Sequence, residues 1–198
     1  MRGHEYIRDA VRGYLESSVP VRLAAHLADI EQTEPNPDGV VFVLADSLQD
    51  ITEGFPVVAV RSTDATDEQR IDAASYRVTY ELEVMVACDH RSYGATGYDQ
   101  ASRARDRLLL AVRESLWRVK GMTSSDPDGD IEFLPGKRTE RTGRGNMQTL
   151  DGVALAVGTV NVRAVVTETL ADLDPLPVVV TADVDVDALD ASESLPNT

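Results

Sequence analysis

Tyr76-Arg-Val-Thr-Tyr-Glu-Leu-Glu-Val-Met-Val-Ala-Cys88 is the stretch on which the fold turns. Tyr76, Val78, Tyr80, Leu82, Val84, Val86 and Cys88 alternate with Arg77, Thr79, Glu81, Glu83, Met85 and Ala87. Successive side chains of a strand point to opposite faces, so this period of two predicts a long strand, one face buried and the other largely polar. A polar link, Asp89 to Gly97, leads into a segment with a different period. From about Tyr98 to Val119 the apolar or small residues Ala101, Ala104, Leu108, Ala111, Val112, Ser115, Leu116 and Val119 fall on one helical face. Arg103, Asp106, Arg107, Arg113, Glu114 and Arg118 fall on the other, which predicts a long amphipathic helix. Leu109, Leu110 and Trp117 widen the stripe beyond what one sheet face covers. A second partner is therefore expected for this helix, and these three residues are candidate subunit or partner contacts.

Working outward, Val153 to Thr169 is a second long β-rich run, with Ala154, Ala156, Gly158, Val160, Val162, Ala164 and Val166 on one face. Asp130-Ile-Glu-Phe-Leu134 predicts a short strand. Upstream, Val40-Val-Phe-Val-Leu44 and Phe55-Pro-Val-Val-Ala-Val60 predict two more, with Pro56 near a start or an edge, where no ladder donor is needed. The chain opens with helical spacing at Tyr6, Ile7, Ala10, Val11, Tyr14 and Leu15. Ser17-Ser18 interrupts, and Pro20 suits the first position of a helix, so two short N-terminal helices are expected. Residues 62–74 read as a polar loop, and 136–152 as a long exposed loop or extended hairpin. The sum is an α+β fold: N-terminal helices and one long amphipathic helix packed on an antiparallel or mixed sheet.

Composition narrows the function classes. Of 198 residues, 42% are hydrophobic, too many for wholesale disorder. The net charge of −15 argues against a general nucleic-acid binder, whose affinity rests on Lys and Arg meeting phosphates. Residues 170–198 carry seven acids and no Lys or Arg, leaving 27 acids against 19 bases in the first 169 residues. The expectation is a domain over 1–169 followed by an acidic, flexible tail over 170–198. One cysteine, Cys88, excludes an intrachain disulfide. Neither a signal peptide nor an apolar run long enough to span a bilayer is read, so a soluble protein with no membrane partner is expected.

The search for chemistry gives little. Asp126-Pro-Asp-Gly-Asp130 places its glycine at the fourth position, where a calcium loop of the EF-hand type needs it at the sixth. Asp89-His90-Arg91-Ser92 sets acid, base and hydroxyl side by side, but a working triad gathers its members in space rather than in sequence. Three histidines and one cysteine make a poor zinc set. Gly143-Arg-Gly145 lacks the third glycine and following helix of a phosphate cradle. Neither catalysis, a cofactor nor a metal is expected. The remaining polar feature is the run Lys137, Arg138, Arg141 and Arg144, read first as solvated, then as a subunit or partner contact, and last as a DNA contact.

With this layout in place, the chain resembles the tail terminator proteins of long-tailed bacteriophages, especially those infecting actinobacteria. The resemblance rests on the opening helical sequence, the strand Tyr76–Val86, the Arg-rich helix Ala101-Ser-Arg-Ala-Arg-Asp-Arg-Leu-Leu-Leu-Ala-Val-Arg113, and the returning strand Ala154-Leu-Ala-Val-Gly-Thr-Val-Asn-Val-Arg-Ala164. It spans roughly residues 5–169 and contains no invariant motif. It implies a structural virion protein, made in the host cytoplasm and located in the tail or neck. Such a protein forms a hexameric ring that caps the tail tube and ends its polymerisation. Its implied partners are further copies of itself, the major tail tube protein and a head-completion or stopper protein, with DNA only a passing strand in the channel.

Other readings of the residues stand beside this one. The nearest is another head–tail connector, such as a stopper or neck protein. A small α+β enzyme or ligand-binding protein would require a polar pocket, for instance near Asp89 and His90. A DNA-binding accessory protein would act through the basic run at 137–144.

Overall fold

The computed structural model describes residues 3–30, 39–51, 54–72, 75–90, 97–118, 121–122, 131–133, 139–141, 147–150 and 153–169. Its described elements are helices laid on a mixed sheet, an α+β fold as the residue periods predict. In chain order they are α1 (Gly3–Ile30), β1 (Val41–Leu44), a short 3-10 turn (Leu48–Asp50), β2 (Val57–Arg70), β3 (Ser75–Asp89) and α2 (Gly97–Arg118). There follow β4 (Gly121–Met122), β5 (Ile131–Phe133), β6 (Thr139–Arg141), β7 (Met147–Leu150) and β8 (Val153–Thr169). The sheet runs β1-β2-β3-β8-β5-β4, and β6 and β7 also pair with β8. β1 is parallel to β2, and every other pairing is antiparallel.

The two long runs with a period of two are the centre of the sheet. β3 and β8 pair without a break from Ser75↔Thr169 to Asp89↔Leu155. Because the register is unbroken, Val78, Tyr80, Leu82, Val84, Val86 and Cys88 share a face with Ala156, Val160, Val162, Ala164 and Val166, and all are buried. α1 and α2 lie on this face and on each other, adding Ile7, Val11, Leu15, Val19 and Leu23 from one and Ala101, Ala104, Leu108, Leu109, Val112 and Leu116 from the other. The second partner expected for α2 is thus found within the chain: it is α1, whose Tyr14 hydroxyl donates to the Ser115 carbonyl at 3.1 Å.

On the opposite face a smaller core gathers Val57, Ala59, Met85, Ala87, Leu155 and Val157 under Ala45, Ile51 and Phe55. A parallel pair needs a crossover rather than a tight turn. Here the connection from β1 to β2 folds over the outer sheet face and buries it at that end.

Two expectations need correction. Residues 3–30 form one continuous helix and not two, with Pro20 inside it. The buried stripe Ile7, Val11, Leu15, Val19 and Leu23 advances by four residues at each step and runs straight through the Ser17–Pro20 interruption. Tertiary packing of that stripe outweighs the local break, and Pro20 sits on the exposed side of the helix, as does Glu16, whose carbonyl it leaves without a donor. Residues 62–70, read as loop, belong to β2. They pair with β3 through register shifts between Ser62 and Asp64 and between Thr66 and Gln69. The hairpin is closed by Ser75 N–H donating to Asp72 Oδ1 at 2.7 Å and Ile71 N–H donating to the Ser75 carbonyl at 2.9 Å. In the segment 136–152, expected as a long loop or an extended hairpin, β7 and β8 form a hairpin from Leu150↔Val153 to Met147↔Ala156, and β6 also lies along β8. From Phe133 to Thr139 the chain advances six residues while β8 passes from Ala164 to Asn161, and from Arg141 to Met147 six more while β8 passes from Thr159 to Ala156. β5, β6 and β7 therefore lie end to end as one interrupted line beside β8, with β4 outside β5. The expected tail over 170–198 lies outside the described residues.

Candidate interaction surfaces

Two surfaces carry the polar and half-exposed side chains that the described residues leave over. The first is the outward side of α2. Leu109 is not on it: this residue is fully buried, lying over Gly158 of β8 within the chain's own core. Leu110 is half-buried, and Trp117 is 43% exposed. Positions 110, 113 and 117 recur at helical spacing, so Leu110, Arg113 and Trp117 share one side of the helix. The Arg113 guanidinium stands 5.1 Å from the Trp117 ring centroid, a cation–π arrangement that holds the indole against the helix. Of the sequence-derived candidates, the structure brings Leu110 and Trp117 together with Arg113, whose part was not foreseen.

The second surface is the outer face of the sheet beyond the small core. Arg61 and Glu83 are directly opposite across β2 and β3 and pair at 2.8 Å. Glu81 and Arg163 are directly opposite across β3 and β8 and also pair. Arg77 reaches over β8 to Glu132 of β5 at 3.0 Å. Opposed charges at cross-strand positions each contribute a few tenths of a kcal/mol to about 1 kcal/mol and fix the register of the sheet. They also leave these arginines engaged with carboxylates rather than presented to an anion.

Arg141 lies in β6, and Lys137, Arg138 and Arg144 lie outside the described residues. The calcium-like stretch 126–130 and Gly143-Arg-Gly145 also lie outside them.

The histidine and cysteine positions resolve into structural roles. His90 continues the β3–β8 ladder, its N–H donating to the Ala154 carbonyl at 3.1 Å while its Nδ1 sits 3.2 Å from the Ala154 nitrogen. His26 Nε2 of α1 lies 3.3 Å from a Glu114 carboxylate oxygen of α2, linking the two helices. Cys88 is buried in the main core, and burial pushes its thiol up to about 12, so it is held as a neutral, unreactive group. Among the described residues, no three His, Cys, Asp or Glu side chains gather as a metal site. No described helix is long and apolar enough to cross a membrane.

Two buried charged residues were not foreseen. Arg105 is 8% exposed, with Nε and Nη2 donating to Asp106 Oδ1 and its stem lying over Gly158. Glu168 is 2% exposed and accepts from Tyr80 and from the Gly3 N–H. The signal for Arg105 was its place between Ala104 and Leu108 on the apolar stripe. For Glu168 it was parity, since it shares the buried face of β8 with Val166 and Ala164. Comparison with protein-family models and with curated proteins finds no match to this chain.

Proposed function

We propose that this chain is a structural, non-enzymatic subunit of a long-tailed phage virion. In this reading it is a tail-terminator-type protomer that forms a ring on the end of the tail tube, stops its growth and presents a surface to the head-completion proteins. The observation that carries the reading is the Leu110–Arg113–Trp117 stripe. It lies on the outward side of a helix whose inward side is already committed to the sheet and to α1. Aromatic and arginine side chains on a rigid element are the groups that anchor protein interfaces. A repeated head-to-tail contact between different surfaces of one protomer closes a ring.

The element order supports the same reading. An opening helix, an alternating central strand, an Arg-rich amphipathic helix and a returning long strand are the features on which the terminator resemblance rests. The paired arginines of the outer sheet face and the overall negative charge suit a wall past which DNA moves without sticking.

The test is the solution mass of the full chain by light scattering across concentrations, with Trp117→Ala beside the wild type. A hexamer of the 21.5 kDa chain whose assembly weakens at least about tenfold in the variant supports the reading. A ring of unchanged strength in the variant removes the α2 stripe from the interface.

A further inference from the structure

The N–H of Gly3, at the start of α1, donates to Glu168 Oε1 at 3.2 Å, so residues 165 positions apart in sequence meet. The Tyr80 hydroxyl donates to the same oxygen from β3. The other oxygen, Oε2, is buried and has no hydrogen-bond partner among the described residues. The His4 ring stands edge-on to Tyr80 with centroids 5.0 Å apart, and its Nδ1 lies 2.6 Å from Ser62 Oγ on β2. The first turn of α1 is thus held from three strands. The first N–H groups of a helix have no partner within it, and a carboxylate placed there meets both their hydrogen-bonding need and the positive end of the helix dipole. A cap is ordinarily the residue that begins the helix. Here the carboxylate comes from the penultimate residue of β8.

We propose that Glu168 is the bolt of a conformational clasp, with Tyr80 as its keeper, so that the first turn of α1 and the end of β8 open and close as one unit. Two bonds on a single oxygen hold the clasp, while the other oxygen is buried and has no partner among the described residues. Opening hydrates both oxygens, so part of what is lost on release is regained from water, and the clasp yields before the core does. The coupling is reciprocal, because whatever frees the helix turn also frees Glu168, and the reverse. Glu168 and Tyr80 are positioning residues in this account, which does not depend on the ring reading.

The experiment is amide hydrogen exchange on the full chain, comparing wild type with Glu168→Gln and Tyr80→Phe. Glu168→Gln removes the charge from both hydrogen bonds and places an amide where Oε2 lacked a partner. Charge-assisted bonds are about twice as strong as neutral ones, so exchange at residues 4–8 and at 165–169 should rise about tenfold, together, with the α2 amides unchanged. Tyr80→Phe leaves the carboxylate in place and should give a smaller rise at the same two segments. If Glu168→Gln unfolds the chain, Tyr80→Phe decides alone. An unchanged pattern in a folded variant overturns the proposal, as does a rise at only one of the two segments or one spread evenly over the chain.

Discussion

Leu109 of α2 occupies the space that Gly158 of β8 leaves by having no side chain. A Cβ built at Gly158 would meet the Leu109 side chain, with Cγ only 3.2 Å away and Arg105 Cδ at 3.4 Å. The glycine here serves close approach and not a turn, since it lies mid-strand opposite Val86. Gly158→Val therefore lifts α2 from the sheet, and overpacking of this kind costs about 1–3 kcal/mol. Urea unfolding should show the loss as a lower midpoint with an unchanged slope.

The same geometry separates Leu109 from its neighbours on the helix. Leu109→Ala empties a fully buried position and should cost about 2–5 kcal/mol. Trp117→Ala, at a residue 43% exposed, should change the stability of the isolated protomer by less than about 1 kcal/mol. On the ring reading its effect falls on assembly instead. Thermal unfolding of the two variants at low concentration checks the contrast.

Pro20 interrupts the hydrogen bonding of α1 without ending it. Pro20→Ala restores a donor to the Glu16 carbonyl on the exposed side of the helix. The melting temperature should rise, with a gain of up to about 3 kcal/mol, the interior cost of proline. A calorimetric scan of the two proteins measures it.

Cys88 makes stability fall at high pH. Burial raises its thiol from an ordinary value of 9.0 to about 12, so above pH 9 the unfolded chain gives up a proton that the folded chain keeps. Its contribution is intact below pH 9 and is lost at up to about 1.4 kcal/mol per pH unit as pH rises toward 12. Tyr80, raised by burial and by its bond to Glu168, acts in the same direction. In Cys88→Ala the tyrosine remains, so the stability gap between wild type and variant should narrow between pH 8 and pH 11 in urea titrations. A constant gap contradicts this.

Legibility followed regular period. β3, β8 and α2 were readable because a single spacing holds over more than a dozen residues in each, and one wrong step would have turned a row of charges inward. The arm of β2 from Arg61 to Arg70 was not, because its bulges break the alternation and its order comes from pairing with β3. The continuity of α1 was hidden by strong local signals at Ser17, Ser18 and Pro20, which the buried row ending in Val19 and Leu23 overrides. Among the site candidates, Leu110 and Trp117 were readable as excess apolar surface. Leu109 was grouped with them because its seat, Gly158, is far away in sequence. The burial of Glu168 was legible in its parity on β8, but its bond to Gly3 was not, because that bond joins residues far apart in the chain.

The most direct test of the ring reading is electron microscopy of tail tubes assembled from the major tail tube protein in the presence of this chain. Short tubes closed at one end by a hexameric ring of this protein are expected, and longer tubes with bare ends when Trp117→Ala replaces it. Tubes that grow to the same length with bare ends in the presence of the wild-type chain would contradict the ring reading.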